Sequence, residues 1–597
     1  MKHWPELSRY IWQTRYRWGR EASIVDSWHR VARAVAGREG VHRDAWAGRF
    51  RHLLDEFRFL PGGRILAGAG TGRDATLFNC FVMGVIPASL EGAFDSLKEG
   101  ALTLQRGGGV GFDFSTLLPA GAEDRMTGSI APGPVAFMRL WDAMCANVLP
   151  AGVRRGAMMA TLRCDHPDIA QFIRAKHERH SLRQFNLSVQ VSDAFMEAVA
   201  AGSSWPLVFP AAHFHTGGAA ILRRRWTGSD GLVDCAVVNT VPARELWEGL
   251  LQAAYDCAEP GVLFVDQINR ENNLHATEFL TSTNPCGEVP LPPYGSCNLG
   301  SLNLTAFVID PFAPGARLDM NALEGAARLA VRFLDNVIDV SAFPLARQAE
   351  AAFATRRIGL GITGLADALA MLGQRYDGWT ARGVAGDILR RVCLAAYEAS
   401  VELAGERGAF PAFEPARFLE SRFVGRLPGS LRARIGRTGI RNSHLLAIAP
   451  AGTISLLAGN VSSGIEPIYA LQARRRVREA DGSHAIHEVD DFAWRLWRTC
   501  HPGQPRPDAL LGAQDTAGAD QLAMQAALQP WVDNAISKTI NVAENIPFDE
   551  FRELYGTAFR HGLKGCTVFR PNPVTGSVLE GTGVQALERC GRTREDD

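Results

Sequence analysis

The sequence predicts an α/β fold with largely parallel strands over residues 61–570, preceded by a small helical region (1–60) and followed by a loose tail (571–597). Three observations predict it. Short apolar runs such as "GVLFV" (261–265) and "PLVF" (206–209) alternate with amphipathic helical stretches, as buried strands joined by helices do. A breaker cluster, "LPGGRILAGAGTGRD", separates this region from a helical N-terminus. After about residue 570 the periodicity disappears.

In chain order, "ASIVDSWHRVARAVA" spaces its apolar residues at three and four and predicts the first clear helix. "NALEGAARLAVRFLDNVIDV" places Leu323, Ala327, Val331, Leu334 and Ile338 on one stripe, the mark of a helix with a buried face. "LRRVCLAAYEASVELAGERG" is a further helix, ending in a glycine suited to a C-terminal cap. "QRGGGVGFDF" lacks the strand-before, helix-after setting of a dinucleotide loop, and no Gly-Lys-Ser/Thr follows, so it reads as a flexible turn.

Composition narrows the function. Apolar residues make up 46% and charged residues 21%, an ordinary globular profile. The net charge is zero and 58 arginines are scattered against five lysines, so no basic footprint argues for nucleic acid. The start lacks an apolar signal core and no apolar run is long enough to span a membrane, which makes cytoplasmic the expected location. Eleven cysteines in 597 residues do not make a disulfide scaffold, and no C-x-x-C occurs.

One stretch stands out: "TNPCGEVPLPPYGSCNLGS" (283–301). Cys286 sits between Asn284 and Glu288, and Cys297 follows eleven residues later. On an extended strand, residues at minus two and plus two share a side, so an amide and a carboxylate would flank the thiol. The carboxylate could serve as a general base and the amide as a hydrogen-bond donor. A buried unreactive cysteine is the other reading, and spacing alone leaves both open. "APAGTISLLAGNVSSGIEP" (449–467) offers small residues, hydroxyls and backbone N–H groups near a helix start. It can hold phosphate without a lysine, or be a tight turn before a buried helix.

Together, "NPCGEVPL", "SCNLGSLNL", "FNCFV" with Cys80, "GGGVGFDFS", "RRGAMMATLRCDHPDI", "FNLSVQVSDAF" and "PAGTISLLAGNVSSGIEP" resemble the ribonucleotide reductase catalytic subunit, most closely the adenosylcobalamin-dependent class II enzymes. The resemblance spans roughly 55–570 in the family's order. It implies a ten-stranded α/β barrel with a central finger loop. Cys286 is implied as the transient thiyl radical at the fingertip, Glu288 as the base for the 3′-hydroxyl proton, and Asn284 as the group that orients the ribose hydroxyls. Cys80 and Cys297 are implied as the dithiol that reduces the 2′ position and ends as a disulfide. Ala451, Gly452, Thr453, Ile454 and Ser455 match the loop that holds the substrate phosphates.

The resemblance also implies adenosylcobalamin as cofactor, a ribonucleoside di- or triphosphate substrate, a deoxynucleoside triphosphate effector, a thioredoxin- or glutaredoxin-type reductant and a homodimer. Class I large subunits, which use a separate metal-containing radical subunit, carry a tyrosine pair near the C-terminus. The matching "GLKGCTVFRPNP" has Phe569 and no tyrosine. The glycyl-radical motif of the anaerobic class is not found, and a catalytically inactive nucleotide-binding barrel has no need of three thiols.

Three departures stand out. Ala88-Ser89 replaces the Asp-Ser pair that helps bind the effector. Ala451 replaces a hydroxyl residue, which removes at most one hydrogen bond, about 0.5–1.5 kcal/mol. The tail carries Cys590 alone where a cysteine pair is usual. No ATP-cone is recognisable at the start, so overall control by ATP and dATP is not expected.

Overall fold

The structure, a computed structural model, describes residues 4–123, 127–148, 156–177, 181–213, 218–478, 484–572 and 579–581. Its centre is a sheet that closes on itself. Five strands run parallel in the order β1 (Cys80–Val82), β2 (Gly109–Asp113), β3 (Met158–Arg163), β4 (Phe185–Val191) and β5 (Gly261–Phe264). A second set comprises β6 (Ser296–Asn303), β7 (Ile358–Thr363), β8 (Thr539–Asn541) and β9 (Gly565–Phe569). The two sets meet antiparallel twice, β6 against β1 and β9 against β5.

Residues 444–448 complete the ring. Leu360 donates to the Leu445 carbonyl and Ala447 to the Leu360 carbonyl. On the far side Ile448 donates to Ala535 and Ser537 to Ile448, just ahead of β8. With this segment the ring has ten staves, and an edge strand, Phe59–Pro61, adds to the outer end of β6. Closure removes the open edges that a sheet otherwise presents.

The predicted helices are present. The first runs Ile24–Val35, with Asp26 accepting from the backbone N–H groups of Ala22 and Ser23. The helix Met320–Val340 buries Leu323, Ala327, Val331, Leu334 and Ile338 completely. Trp379–Arg407 ends at Gly408, whose φ of +83° explains the glycine. No helix among the described residues is long and apolar enough to cross a membrane.

Two readings are corrected. "GGGVGFDF" is no flexible turn: Gly109–Asp113 is the barrel strand β2. "PLVF" is a buried strand, but it lies in a separate antiparallel sheet of Ser204–Pro210, Leu232–Pro242 and Ile221–Arg225, outside the barrel. An apolar run reports burial and cannot say which sheet buries it.

The N-terminal helices are tied to the barrel by polar contacts. Trp4 and Ser8 donate to the carbonyls of Leu457 and Leu456. Glu39 accepts both arms of Arg332's fork and a bond each from Arg407 and Asn336. Burial would raise the Glu39 pKa, but these donors outweigh it and hold the group at about 2.

Candidate active site

The finger rises inside the ring between β5 and β6. Ser282–Thr283 and Pro290–Leu291 pair as a short antiparallel ladder, and residues 284–289 turn at the tip. The turn is closed by Gly287 N–H donating to the Asn284 carbonyl (3.1 Å) and Val289 N–H donating to Asn284 Oδ1 (3.0 Å). Gly287 has φ +83°, a conformation that costs a residue with a Cβ strain. Asn284 and Glu288 therefore come together through a turn, not across an extended strand as the spacing suggested.

Glycines of β2 make room for the finger. A Cβ on Gly111 would lie 1.8 Å from the Thr283 carbonyl oxygen, and one on Gly109 would press on Pro285 at 3.2 Å. These positions were legible only as a glycine run. Their use, close approach of a second backbone, needs the fold.

The tip gathers the residues named from sequence. Asn284 Nδ2 donates to Cys80 Sγ at 3.3 Å, and the Cys80 thiol donates to Glu288 Oε1 at 3.7 Å. Glu288 Oε2 is buried with no hydrogen-bond partner. Cys297 stands opposite Cys80 in the β6/β1 register, and both are buried in a cluster with Val82, Val289, Leu291, Leu299 and Ala447. Cys286, at the tip itself, is half-buried.

The surroundings set the charges. Burial is the largest influence on Glu288 and raises its carboxyl to about 7, against the opposing bonds from Asn284 and Cys80. Burial also raises the Cys80 thiol, and Glu288, Cys297 and Cys286 add to the shift. Cys297 is likewise pushed up by burial, with Arg357 pulling the other way. Both thiols thus hold their protons at neutral pH, beside a carboxyl poised to give or take one.

Residues 444–448 lead directly to the predicted phosphate loop. Ala449 packs against the cluster that holds Cys80 and Cys297. Ala451 precedes a short helix, Gly452–Leu457, and its N–H donates to Ser463 Oγ at 2.7 Å. Ser455 Oγ donates to the Gly452 carbonyl and is buried, whereas Thr453 is half-buried. Cys590 lies outside the described residues. Ser89 caps the helix Leu90–Gln105 by accepting from Gly92 N–H, and Ala88 just before it offers no side-chain polar group.

A closed α/β barrel around a finger that presents a thiol, a carboxyl and an amide to a facing pair of thiols defines a thiol-based oxidoreductase. The family described as ribonucleotide reductase, barrel domain, matches residues 78–569, and the all-alpha domain of ribonucleotide reductase matches 6–74. The chain belongs to the ribonucleotide reductase family. It is 40% identical over 584 residues to a vitamin B12-dependent ribonucleoside-diphosphate reductase of Mycobacterium tuberculosis, covering 94% of this chain and 77% of the relative. It is 33% identical over 559 residues to an enzyme of the same name from Thermoplasma acidophilum, covering 91% and 67%. A ribonucleoside-diphosphate reductase subunit alpha of Chlamydia muridarum is 28% identical over 477 residues, covering 74% and 45%.

Proposed function

We propose that the chain reduces ribonucleoside diphosphates to 2′-deoxyribonucleoside diphosphates with adenosylcobalamin as its radical source. The observation that carries this reading is the facing pair Cys80 and Cys297, with Asn284 and Glu288 both bonded to the Cys80 sulfur. Higher identity and coverage with the B12-dependent relatives than with the subunit alpha support the choice of cofactor. The fingertip suits a bulky group: Cys286 is only half-buried, and a Cβ on Gly287 would meet nothing within 4 Å.

Adenosylcobalamin, when bound, supplies the one-electron oxidation of Cys286. The residues of the chain do the rest. Cys286 takes the 3′ hydrogen of the ribose as Glu288 accepts the 3′-hydroxyl proton. The 2′-hydroxyl then leaves as water, protonated by a thiol of the Cys80/Cys297 pair. The pair supplies two electrons and closes as a disulfide, and Cys286 returns its hydrogen to C3′. The balance is one ribonucleotide and one dithiol in, one deoxyribonucleotide, one disulfide and one water out.

Ala451–Ser455 holds the substrate phosphates, with Thr453 the accessible hydroxyl. A thioredoxin-type dithiol reopens the disulfide, with Cys590 of the tail as the relay. The helix Leu90–Gln105 exposes Leu90, Phe94 and Leu102, apolar surface that supports a homodimer there. A deoxynucleoside triphosphate effector at that interface would lack the side-chain acceptor usual at position 88. The test is product formation from a ribonucleoside diphosphate with adenosylcobalamin and a small dithiol and no partner subunit. Activity that instead requires an iron or manganese subunit and ignores cobalamin rejects the reading.

A further inference from the structure

Beside the side-chain contacts to Cys80, the fingertip's backbone carbonyls accept a hydrogen bond from each half of the barrel. From the second half, Ala535 N–H donates to the Glu288 carbonyl at 2.8 Å. From the first half, Asn186 Nδ2 on β4 donates to the Pro285 carbonyl at 2.7 Å. These two carbonyls belong to the residues that bracket Cys286 and Gly287. The first bond is a backbone contact that any residue at 535 other than proline could make. The second depends on a side chain.

The surroundings of Asn186 argue for more than filling space. On β4 the polar residues Asn186, Ser188 and Gln190 alternate with Phe185, Leu187, Val189 and Val191, so the polar face looks into the barrel. Gln190 donates to Thr161 Oγ1, which in turn donates to the Thr281 carbonyl at the finger's root. Asn186 repeats this contact at the tip, where no neighbouring side chain of β2 can: Gly109 and Gly111 have none. The short ladder of the finger is two residue pairs long and cannot by itself fix the tip.

We propose that Asn186 is a positioning residue for the reaction: its amide, tethering the Pro285 carbonyl, sets where the Cys286 sulfur stands relative to the ribose 3′ hydrogen. Hydrogen-atom transfer depends steeply on the approach of donor and acceptor, and a displacement of about 1 Å can cost on the order of 100-fold in rate. The inference rests on the radical role proposed for Cys286. Asn186 itself touches no reacting atom.

The experiment compares Asn186→Asp, Asn186→Ala and Cys286→Ser in the full chain, using ribonucleoside diphosphate and its 3′-deuterated form. Asn186→Asp keeps the shape but replaces the donor with an acceptor that repels the Pro285 carbonyl. Both Asn186 variants are expected to lose about 100-fold in kcat with KM within about twofold. Their deuterium isotope effect should rise as hydrogen transfer becomes limiting, and their melting temperatures should match the parent's. An unchanged kcat and isotope effect in Asn186→Asp overturns the inference, as does a loss confined to KM, which would make Asn186 a substrate contact. A fall in melting temperature with unchanged turnover per folded enzyme also overturns it, by making the role structural. If Cys286→Ser keeps turnover, the underlying reading of the fingertip fails instead, and the two failures are told apart.

Discussion

Cys80 and Cys297 face each other directly across the antiparallel joint between β1 and β6, although 216 positions separate them in the chain. Residues paired this way share one face of the sheet. Val82 N–H donates to the Gly295 carbonyl two residues along; in a regular antiparallel ladder a pair two residues from such a bond has Cα atoms about 5.5 Å apart. That separation lies within the range a disulfide requires.

Oxidation of this pair should accompany turnover. After a single turnover without reductant, peptide mapping is expected to recover Cys80 linked to Cys297, with Cys286 in neither partner. Replacing either facing cysteine with serine should stop turnover in small dithiol by at least about 1,000-fold, as loss of a group acting in a catalytic unit does. Recovery of a Cys286–Cys297 link instead would mean the thiols divide their work differently.

Glu288 predicts opposite pH effects on rate and stability. As base it must be ionised, so kcat/KM should rise with pH through about 7. Its folded pKa lies above the ordinary 4.5, so its contribution to stability is complete below 4.5 and is lost as pH rises through 7. Glu288→Gln leaves no base and should cut turnover by at least about 100-fold at every pH, while gaining up to about 3 kcal/mol of stability at pH 8. Denaturant titrations at pH 5 and pH 8 read the second effect, and equal stability changes at both would contradict it.

Gly111→Ala should disable the enzyme although the change is one methyl group. The added Cβ would sit 1.8 Å from the Thr283 carbonyl, so the finger must shift. A loss of about 100-fold in kcat is expected. Gly287→Ala is the control: space is open there and only the positive φ is strained, about 1 kcal/mol. A milder effect at 111 than at 287 would show that the β2 glycines do not seat the finger.

The N-terminal helices should detach in acid. Glu39 is held at about 2, below its ordinary 4.5, so its stabilising contribution is present above 4.5 and lost as pH falls towards 2. Glu39→Ala leaves Arg332 and Arg407 without their shared partner and should cost about 3 kcal/mol at pH 7. Calorimetry at pH 7 and pH 3 checks this: the gap between variant and parent should narrow at the lower pH, and an unchanged gap would contradict it.

Much of this site was legible because it is local. Asn284, Cys286 and Glu288 lie within five residues, so their association survives any error about the surrounding fold. The facing of Cys80 and Cys297 was not legible from spacing, since register across a barrel joint depends on every connection between the strands; only the family resemblance linked them. The tip geometry was misread, because alternation assumes an extended strand and Gly287 breaks it. "GGGVGFDF" was misjudged for a related reason: glycine serves equally for a turn and for a strand that another backbone must approach. Asn186 has a signal in the sequence, the alternation of Asn186, Ser188 and Gln190 in a run otherwise apolar. Residues 444–448 gave none, because a stave held by a few irregular hydrogen bonds has no periodicity to read.

The most direct test of the central claim is turnover by Cys286→Ser. With adenosylcobalamin, dithiol and ribonucleoside diphosphate supplied, the variant should form no deoxyribonucleotide while its melting temperature and nucleotide binding match the parent's. Deoxyribonucleotide formed at even a tenth of the parent rate would contradict the assignment of the radical to the fingertip thiol.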